Sequence, residues 1–487
     1  TLGRLSVAVG YGALQTQNQT TGTDVYNVAV GHNAGQAVTT GTLNTFVGGL
    51  AGDALTTGTD NVAVGYQALS ADTLGRHSVA IGDVALSSQN FTTDTASNNT
   101  AVGHEAGNGI TTGIRNTIIG AHAGDALTDA DENTAIGALA LTSDTLGSKS
   151  TAIGRGTLGS QNFTTATDSF NTAVGHLAGN QITNGIRNTI VGGLAGDALT
   201  EGYFNTAVGY SALSADTLGR LSVAVGYGAL QTQNFTTGTD AYNVAVGHNA
   251  ATTVTTGINN TLVGGLSGDA LTTGNANTGC GMNALGGSSG DTTGDDNTAV
   301  GISAGLNVTS GSNNLLLGHD AGRTGGPGGV VTSHSNEVHL GNENITSAHI
   351  QVALTVASDQ RDKTDFVDLD LGLDFVKALE PVTYYWDKRS KYGDKYADDY
   401  DLNAQTPDGT HKEDWMDVGF KAQSVLALEE AAGYKVAEKK NLTVSLSGDG
   451  KQYGLQYEKF IPILVKAIKD QDAIITALTA RVAALES

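Results

Sequence analysis

The sequence predicts a mainly β chain: a parallel β-solenoid with coils of about 17 residues, then a small α+β domain and a C-terminal coiled-coil helix. Three observations carry this reading. A five-residue motif, Asn/Ser-x-x-Val/Ile-Gly, returns along the first 318 residues. Gly makes up 67 of 487 residues and charged residues only 15%, a mixture suited to short strands and turns. From Ser358 onward the composition changes, and that stretch holds 14 of the 15 lysines and both tryptophans.

The motif starts at Ser6, Asn27, Asn44, Asn61 and Ser78, then at Asn99, Asn116, Asn133 and Ser150, and then at Asn171, Asn188, Asn205 and Ser222. It continues at Asn243, Asn260, Asn277, Asn297 and Asn314. Three spacings of 17 alternate with one of 21, a super-period of 72 residues. Residues 1–18 recur unchanged at 217–234, as expected of a chain whose start lies inside a longer array. Repeats this short cannot each bury a core, so each coil has to hydrogen-bond to the next. At about 4.8 Å per coil, roughly 18 coils would make a rod on the order of 85 Å long.

In NVAVG, residues 27–31, the two faces are Val28 with Val30 and Ala29 with Gly31, and neither is polar. A strand apolar on both faces is expected to be buried on both. One face fills the coil, and the other needs a partner chain whose backbone Ala and Gly let come close, so oligomerisation about a shared axis is expected. The recurring Asn reads as a turn residue or an amide ladder, with ligand binding as the alternative. Cys280, the single cysteine, stands where the motif has Val or Ile and reads as a buried small hydrophobe. Being alone, it excludes an intrachain disulfide or a CxxC metal site. The units SVAVG and NTAVG, followed by a short Ala/Gly segment, resemble the head domains of trimeric autotransporter adhesins over most of residues 1–320. The resemblance implies a left-handed parallel β-roll, a parallel homotrimer and a surface-exposed rod.

His32, His104, His176 and His248 follow the motif Gly at one place in successive 72-residue repeats. In a trimer each would form a ring of three imidazoles able to hold a metal or an anion. The same position holds Tyr11, Tyr66, Asp83 and Arg155 in other coils, which favours a plain surface site. The 21-residue spacings carry extra residues predicted to protrude as loops at one azimuth. Phe91, Phe163, Phe235, Tyr26 and Tyr242 lie there, together with Phe170. They suit stacking on a sugar ring or filling a receptor pocket; the alternative is that they tuck under their own loops. There is no phosphate loop, zinc motif or spaced acidic pair, so neither cofactor nor metal is expected. A formal charge of −23 argues against nucleic acid or an anionic membrane as partner through a basic patch. No run of about 18 apolar residues is present to span a membrane.

The expected organisation is a solenoid at 1–324, a linker with terminal strands at 325–357, the α+β domain at 358–455 and the helix at 456–487. Within the domain, DLGLDFVKALE predicts a helix closed by Pro381, followed by a strand VTYYW. MDVGFKAQSVLALEEAAG reads as strand, turn and helix ending near Gly433. In the last helix Ile461, Leu464, Ile468, Gln471, Ile475, Leu478, Val482 and Leu485 keep the 4,3 spacing of a coiled-coil seam. Ile alternating with Leu leans by itself to two strands. Gln471, which its own copies can satisfy around a threefold axis, and the solenoid's need for partners favour three.

SDQRDK, LDFVKALEPVTYYW, DVGFKAQSV and YEKFIPILVKAIKDQ resemble, in that order, the C-terminal intramolecular chaperone domain of phage endosialidases and tail fibres, over roughly 358–487. The resemblance implies a domain that trimerises, guides folding of the β-rich fibre before it, and in many members cuts itself off before the Ser of a Ser-Asp-x-Arg-x-Lys motif. Carried onto this chain, Ser358 is the nucleophile, Lys363 the base, and Ala357–Ser358 the bond cut. A lysine can take the hydroxyl proton only where burial keeps it neutral. The family usually has an apolar residue before the lysine; here it is Asp362, whose charge is expected to hold Lys363 protonated and slow the site.

Repeats of 17 and 72 residues also pose a register problem, because chains slipped by one repeat pair nearly the same side chains. A non-repetitive C-terminal trimer would fix the register. The resulting reading is a trimeric viral tail fibre, located in the virion tail, whose partners are a host cell-surface polysaccharide or receptor and other tail proteins. The alternatives are a bacterial surface adhesin with the same modules and a polysaccharide-degrading tailspike, although no carboxylate arrangement for glycoside cleavage stands out.

Overall fold

The computed structural model describes residues 3–287, 291–351, 354, 356–395, 397 and 399–486. The expected terminal strands at 325–357 thus include residues 352, 353 and 355, which lie outside the described residues. The chain is a mainly β protein, a parallel β-solenoid of about 18 turns followed by a mixed domain. It divides into two compact units, Thr1–Thr298 and Ala299–Ser487.

In the first unit every motif forms a three-residue strand, and consecutive strands from Val7–Val9 to Thr278–Cys280 pair in parallel, motif on motif. Val28 lies against Thr45, Ala29 against Phe46 and Val30 against Val47, a register repeated throughout. The recurring Asn is buried, and its side chain ties three backbone segments together. Asn27 Nδ2 donates to Gly41 O at 2.8 Å, and its Oδ1 accepts from Asn44 N at 2.9 Å. Asn44 repeats the pattern with Gly58 O and Asn61 N. The ladder satisfies polar groups that the narrow coil would otherwise bury unpaired. The motif Gly is required because Gly31 has φ +144° and a Cβ there would stand 2.3 Å from Gly48 O of the next coil.

The faces of the strand are assigned differently from the sequence expectation. The middle residue, Ala29, Phe46, Ala63, Ala80, Ala101 or Ile118, points into the coil and is fully buried. It packs on the Ala three residues past the Gly and on an aliphatic residue beyond, as with Ala34 and Val38 or Ala51 and Leu55. The small face is therefore the interior. The outer face is the branched row, in which Val30, Val47, Ile81, Ile119 and Val263 are 36–38% exposed. Cys280 belongs to that outer row and is exposed rather than buried.

The long coils do more than protrude. Their extra residues pair in parallel with the preceding coil, Thr95–Ala96 on Gly75–Arg76, Thr167–Asp168 on Gly147–Ser148 and Thr239–Asp240 on Gly219–Arg220. Each is pinned by a buried aspartate. Asp72 Oδ1 accepts from Gly75 N and Phe91 N, and its Oδ2 accepts from Gln89 Nε2. Asp144 and Asp216 do the same with Phe163 and Phe235.

Burial raises the pKa of Asp53, Asp72, Asp197, Asp216 and Asp269 above the ordinary carboxylate value, and hydrogen bonds offset this only in part. Each binds a proton more readily folded than unfolded, so its stabilisation is present in full below about 3.8 and is lost as pH rises through the folded value. The opposite holds for the C-terminal domain. There Arg361 depresses Asp359, backbone and Lys451 contacts depress Asp401, Thr410 depresses Asp408, and Lys466 depresses Asp470. Their stabilisation is present above about 3.8 and is lost as pH falls through the lowered values. Acidification from pH 7 toward 3 is therefore expected to raise the denaturant midpoint of the solenoid, read by far-ultraviolet circular dichroism. Over the lower part of that range it should lower the midpoint read by fluorescence of Trp386 and Trp415, both in the C-terminal domain. A solenoid midpoint that falls with pH would contradict the assignment.

In the second unit the last coil pairs Leu315–Leu317 with Val338–Leu340. The mixed domain follows, with α1 at Leu373–Ala378, α2 at Ala422–Ala431 and α3 at Phe460–Glu486. Two short antiparallel pairs join Val382–Tyr384 to Asp417–Gly419 and Val444–Leu446 to Tyr453–Leu455. Leu371, Phe375, Val425, Val444, Phe460 and Ile463 form the core. Glu429 of α2 is fully buried, and its carboxylate accepts from Thr443 N and Thr443 Oγ1 at 2.6 Å each and from Leu442 N at 3.1 Å. Among the described residues no helix is long and apolar enough to cross a membrane.

Candidate functional site

The SDQRDK stretch forms a tight turn. Asp359 is extended at φ −63°, ψ 131° and caps the 3-10 turn Gln360–Asp362, its Oδ1 accepting from Arg361 N at 2.9 Å. The Arg361 guanidinium folds back onto the same carboxylate, Nη2 to Oδ2 at 2.6 Å, and so holds Asp359 below the usual carboxylate range. Lys363 N donates to Gln360 O at 3.2 Å, closing the reversal.

The consequence is that Lys363 Nζ stands 2.5 Å from Ser358 Oγ. The two residues singled out in the sequence as nucleophile and base are therefore in direct hydrogen-bond contact, beside the Ala357–Ser358 bond. Asp362 does not pair with the lysine: among the described residues no carboxylate lies within 4.0 Å of Lys363 Nζ. Ala357, Ser358 and Lys363 are all exposed, as are nearly all residues described from 344 to 368. Among the described residues nothing shields the dyad from water, and a lysine works as a base only where it is desolvated.

Beside this segment, the last coil is bound to the mixed domain by a nearly buried ion network that the sequence reading missed. Lys395 Nζ lies 2.7 Å from Glu343 Oε1 and 3.4 Å from Asp320 Oδ2, with the three side chains 13%, 5% and 2% exposed. Arg323 Nη1 holds the other Asp320 oxygen at 2.8 Å. Lys388 Nζ donates to Glu343 O, Lys391 Nζ to Asn344 Oδ1, and Val330 N to Asp449 Oδ2.

The other sequence candidates lie in the solenoid. Phe91, Phe163 and Phe235 are buried, so they anchor their loops and are not available to a receptor. Tyr26, Phe170 and Tyr242 are about half exposed. They share a left-handed backbone, φ about 50°, at the same place in three long coils, and Lys149 Nζ sits 5.3 Å from the Phe170 ring. His32, His104, His176 and His248 are exposed on the outer surface. His32 stacks on Tyr11 and His248 on Tyr227, whereas His104 meets His122 edge on.

Compared with known families, residues 358–434 match the model described as Chaperone of endosialidase. The match begins at Ser358 and ends just past α2. Comparison with curated proteins and with solved structures gave no match.

Proposed function

We propose that this chain is the shaft and folding module of a tail-fibre or tailspike-like protein, assembled as a homotrimer by its C-terminal domain and then severed from it. A chaperone-of-endosialidase domain behind a β-solenoid supports the coarser half of this reading. The observation that carries the trimer is the outer face of α3. Ile461, Leu464, Ile468, Ile475, Leu478, Val482 and Leu485 keep coiled-coil spacing and are 44–84% exposed, while Phe460, Ile463 and Ala467, on the adjoining side of the first two turns, are buried in the domain. A helix with one face in its own domain and a second apolar seam in water calls for copies of itself. The branched outer row of the solenoid and the exposed Ile350, Leu354, Val356, Phe366 and Val367 ask for the same partner.

Self-cleavage completes the reading. Lys363 takes the proton of Ser358 Oγ as that oxygen attacks the Ala357 carbonyl carbon. The Ala357–Ser358 C–N bond breaks, and the leaving nitrogen receives the proton. The resulting ester is opened by water to an Ala357 carboxylate and a new N-terminal Ser358. Desolvation of the lysine comes from the neighbouring copies, so the cut follows assembly. On a denaturing gel the folded full chain should give two bands, the smaller starting at Ser358 by N-terminal sequencing, and Ser358→Ala should give one. One full-length band in both would remove the cut and leave the chaperone role standing. A solution mass equal to one chain would remove the trimer.

A further inference from the structure

We propose that the second 72-residue repeat carries a binding site for a first-row divalent cation of the Zn²⁺ type, held by His104, Glu105 and His122 and completed by Asp125 or Asp83. This site lies within one chain and is distinct from a ring of symmetry-related histidines. Ligand atoms of His104, Glu105 and His122 all lie within 4.8 Å of one another. His104 Nε2 is 3.8 Å from Glu105 Oε1, and Glu105 Oε2 is 3.2 Å from His122 Nδ1. Ligands at about 2.0–2.1 Å around a tetrahedral ion stand about 3.3 Å apart, so small rotations of exposed side chains close the set.

Two further carboxylates face the same atoms. Asp125 Oδ2 is 3.5 Å from His122 Nδ1, and Asp83 Oδ2 is 3.5 Å from His104 Nε2. Asp125 is oriented by Thr142 Oγ1, which donates to its Oδ1 at 2.6 Å. The backbone under the site is fixed by the coil ladder, with Glu105 N donating to Asp83 O and His122 N to His104 O, each at 2.9 Å. Two imidazoles with carboxylates form a donor set suited to zinc and its neighbours rather than to calcium or magnesium. The side chains are a quarter to a half exposed, so an ion can enter from solvent and keep a water.

The repeats supply an independent observation, because they align the chain with itself. Where this repeat has Asp83, the others have Tyr11, Arg155 and Tyr227. Where it has Glu105, the others have Asn33, Leu177 and Asn249, and where it has His122 they have Leu50, Leu194 and Leu266. Three of the positions at which this repeat differs from the others thus fall on three adjacent coils, and all three side chains converge on the space beside His104. The Asp125 position is Asp in all four repeats, as Asp53, Asp197 and Asp269 show, so it becomes a ligand only where His122 stands beside it. An ion there would clip three coils together, adding to the backbone and Asn ladders that already join them.

The test is titration of the full chain, stripped with chelator, with Zn²⁺ alone, followed by calorimetry and by the visible absorption of Co²⁺ in its place. One ion per chain is expected. His122→Leu inserts the residue the other three repeats already accept, so the fold is kept, and affinity should fall about 10- to 100-fold or more. Glu105→Asn, likewise a residue taken from the repeats, should do the same, while His176→Ala should change nothing. Uptake that survives both His122→Leu and Glu105→Asn, uptake that is lost in His176→Ala, or no uptake by the parent chain would each overturn the site.

Discussion

A chain ended at residue 357 is expected to fail to form the fibre, giving aggregate or mixed assemblies where the full chain gives one species. The reason lies in the sameness of the coils. In the first unit each motif strand pairs motif on motif with the next, mostly with a small or aliphatic residue inside and a branched row outside. On the trimeric reading proposed above, chains offset by a coil would present each other with almost the same outer row, and slipped and correct assemblies would differ little in energy. What distinguishes them has to be non-repetitive. That property belongs to residues 358–486, with their separate core around Phe375, Val425 and Phe460 and the seam of α3. Val338–Leu340, the last strand of the solenoid, has Val338 66% and Leu340 60% exposed in the full chain, and truncation takes away the domain that follows this edge, a ready template for stray pairing. The check is mass and homogeneity in solution after expression of the two chains side by side. A monodisperse trimer from the truncated chain, unfolding at the temperature of the full one, would sink the folding role.

The period of the solenoid was legible because it is written in Asn and Gly, two residues whose roles are local. Gly31 must be Gly for its φ, and Asn27 bridges neighbouring coils with its side-chain amide. Which strand face points inward was not legible, since VAV is apolar on both. The turn decides it: Gly31 at φ +144° and Asn33 at φ +55° swing Ala34 inward beside Ala29 and leave Val30 outside. The burial of Phe91, Phe163 and Phe235 did have a sequence signal, the Asp-Thr-Leu-Gly that starts at Asp72, Asp144 and Asp216 before each of those long coils. A short-range motif likewise made Ser358 and Lys363 readable, five residues apart and brought together by one turn. The network around Lys395 was beyond reach, because its partners lie 52 and 75 residues away and nothing local marks them.

That network supports the second large effect. Lys395→Met is expected to destabilise the attachment of the last coil to the mixed domain by about 3–5 kcal/mol, the usual result of removing one partner from a buried ion pair. Asp320 would keep Arg323 at 2.8 Å and His319 at 3.4 Å. Glu343 would not be so protected: it is nearly buried, its Oε1 relies on Lys395, and its Oε2 has no hydrogen-bond partner among the described residues. The loss should therefore come mostly from a stranded Glu343 carboxylate rather than from the lysine's own contacts. It follows that Lys395→Met combined with Glu343→Leu should recover more than half of the loss, since an apolar pair of similar volume can replace a buried ion pair at little cost. Trp386 lies two residues before Lys388, which donates to Glu343 O, so its fluorescence reports the denaturant midpoint of this attachment. The single variant should lower that midpoint and the double variant should restore most of it. Additive losses in the double variant would mean that Glu343 is held by something other than charge, and an unchanged single variant would remove the network from the attachment altogether. If the bond before Ser358 is cut as proposed, this network, with Val330 on Asp449, is what keeps the severed domain in place. Lys395→Met should then release the C-terminal fragment from the cleaved fibre on a sizing column under conditions where the parent retains it.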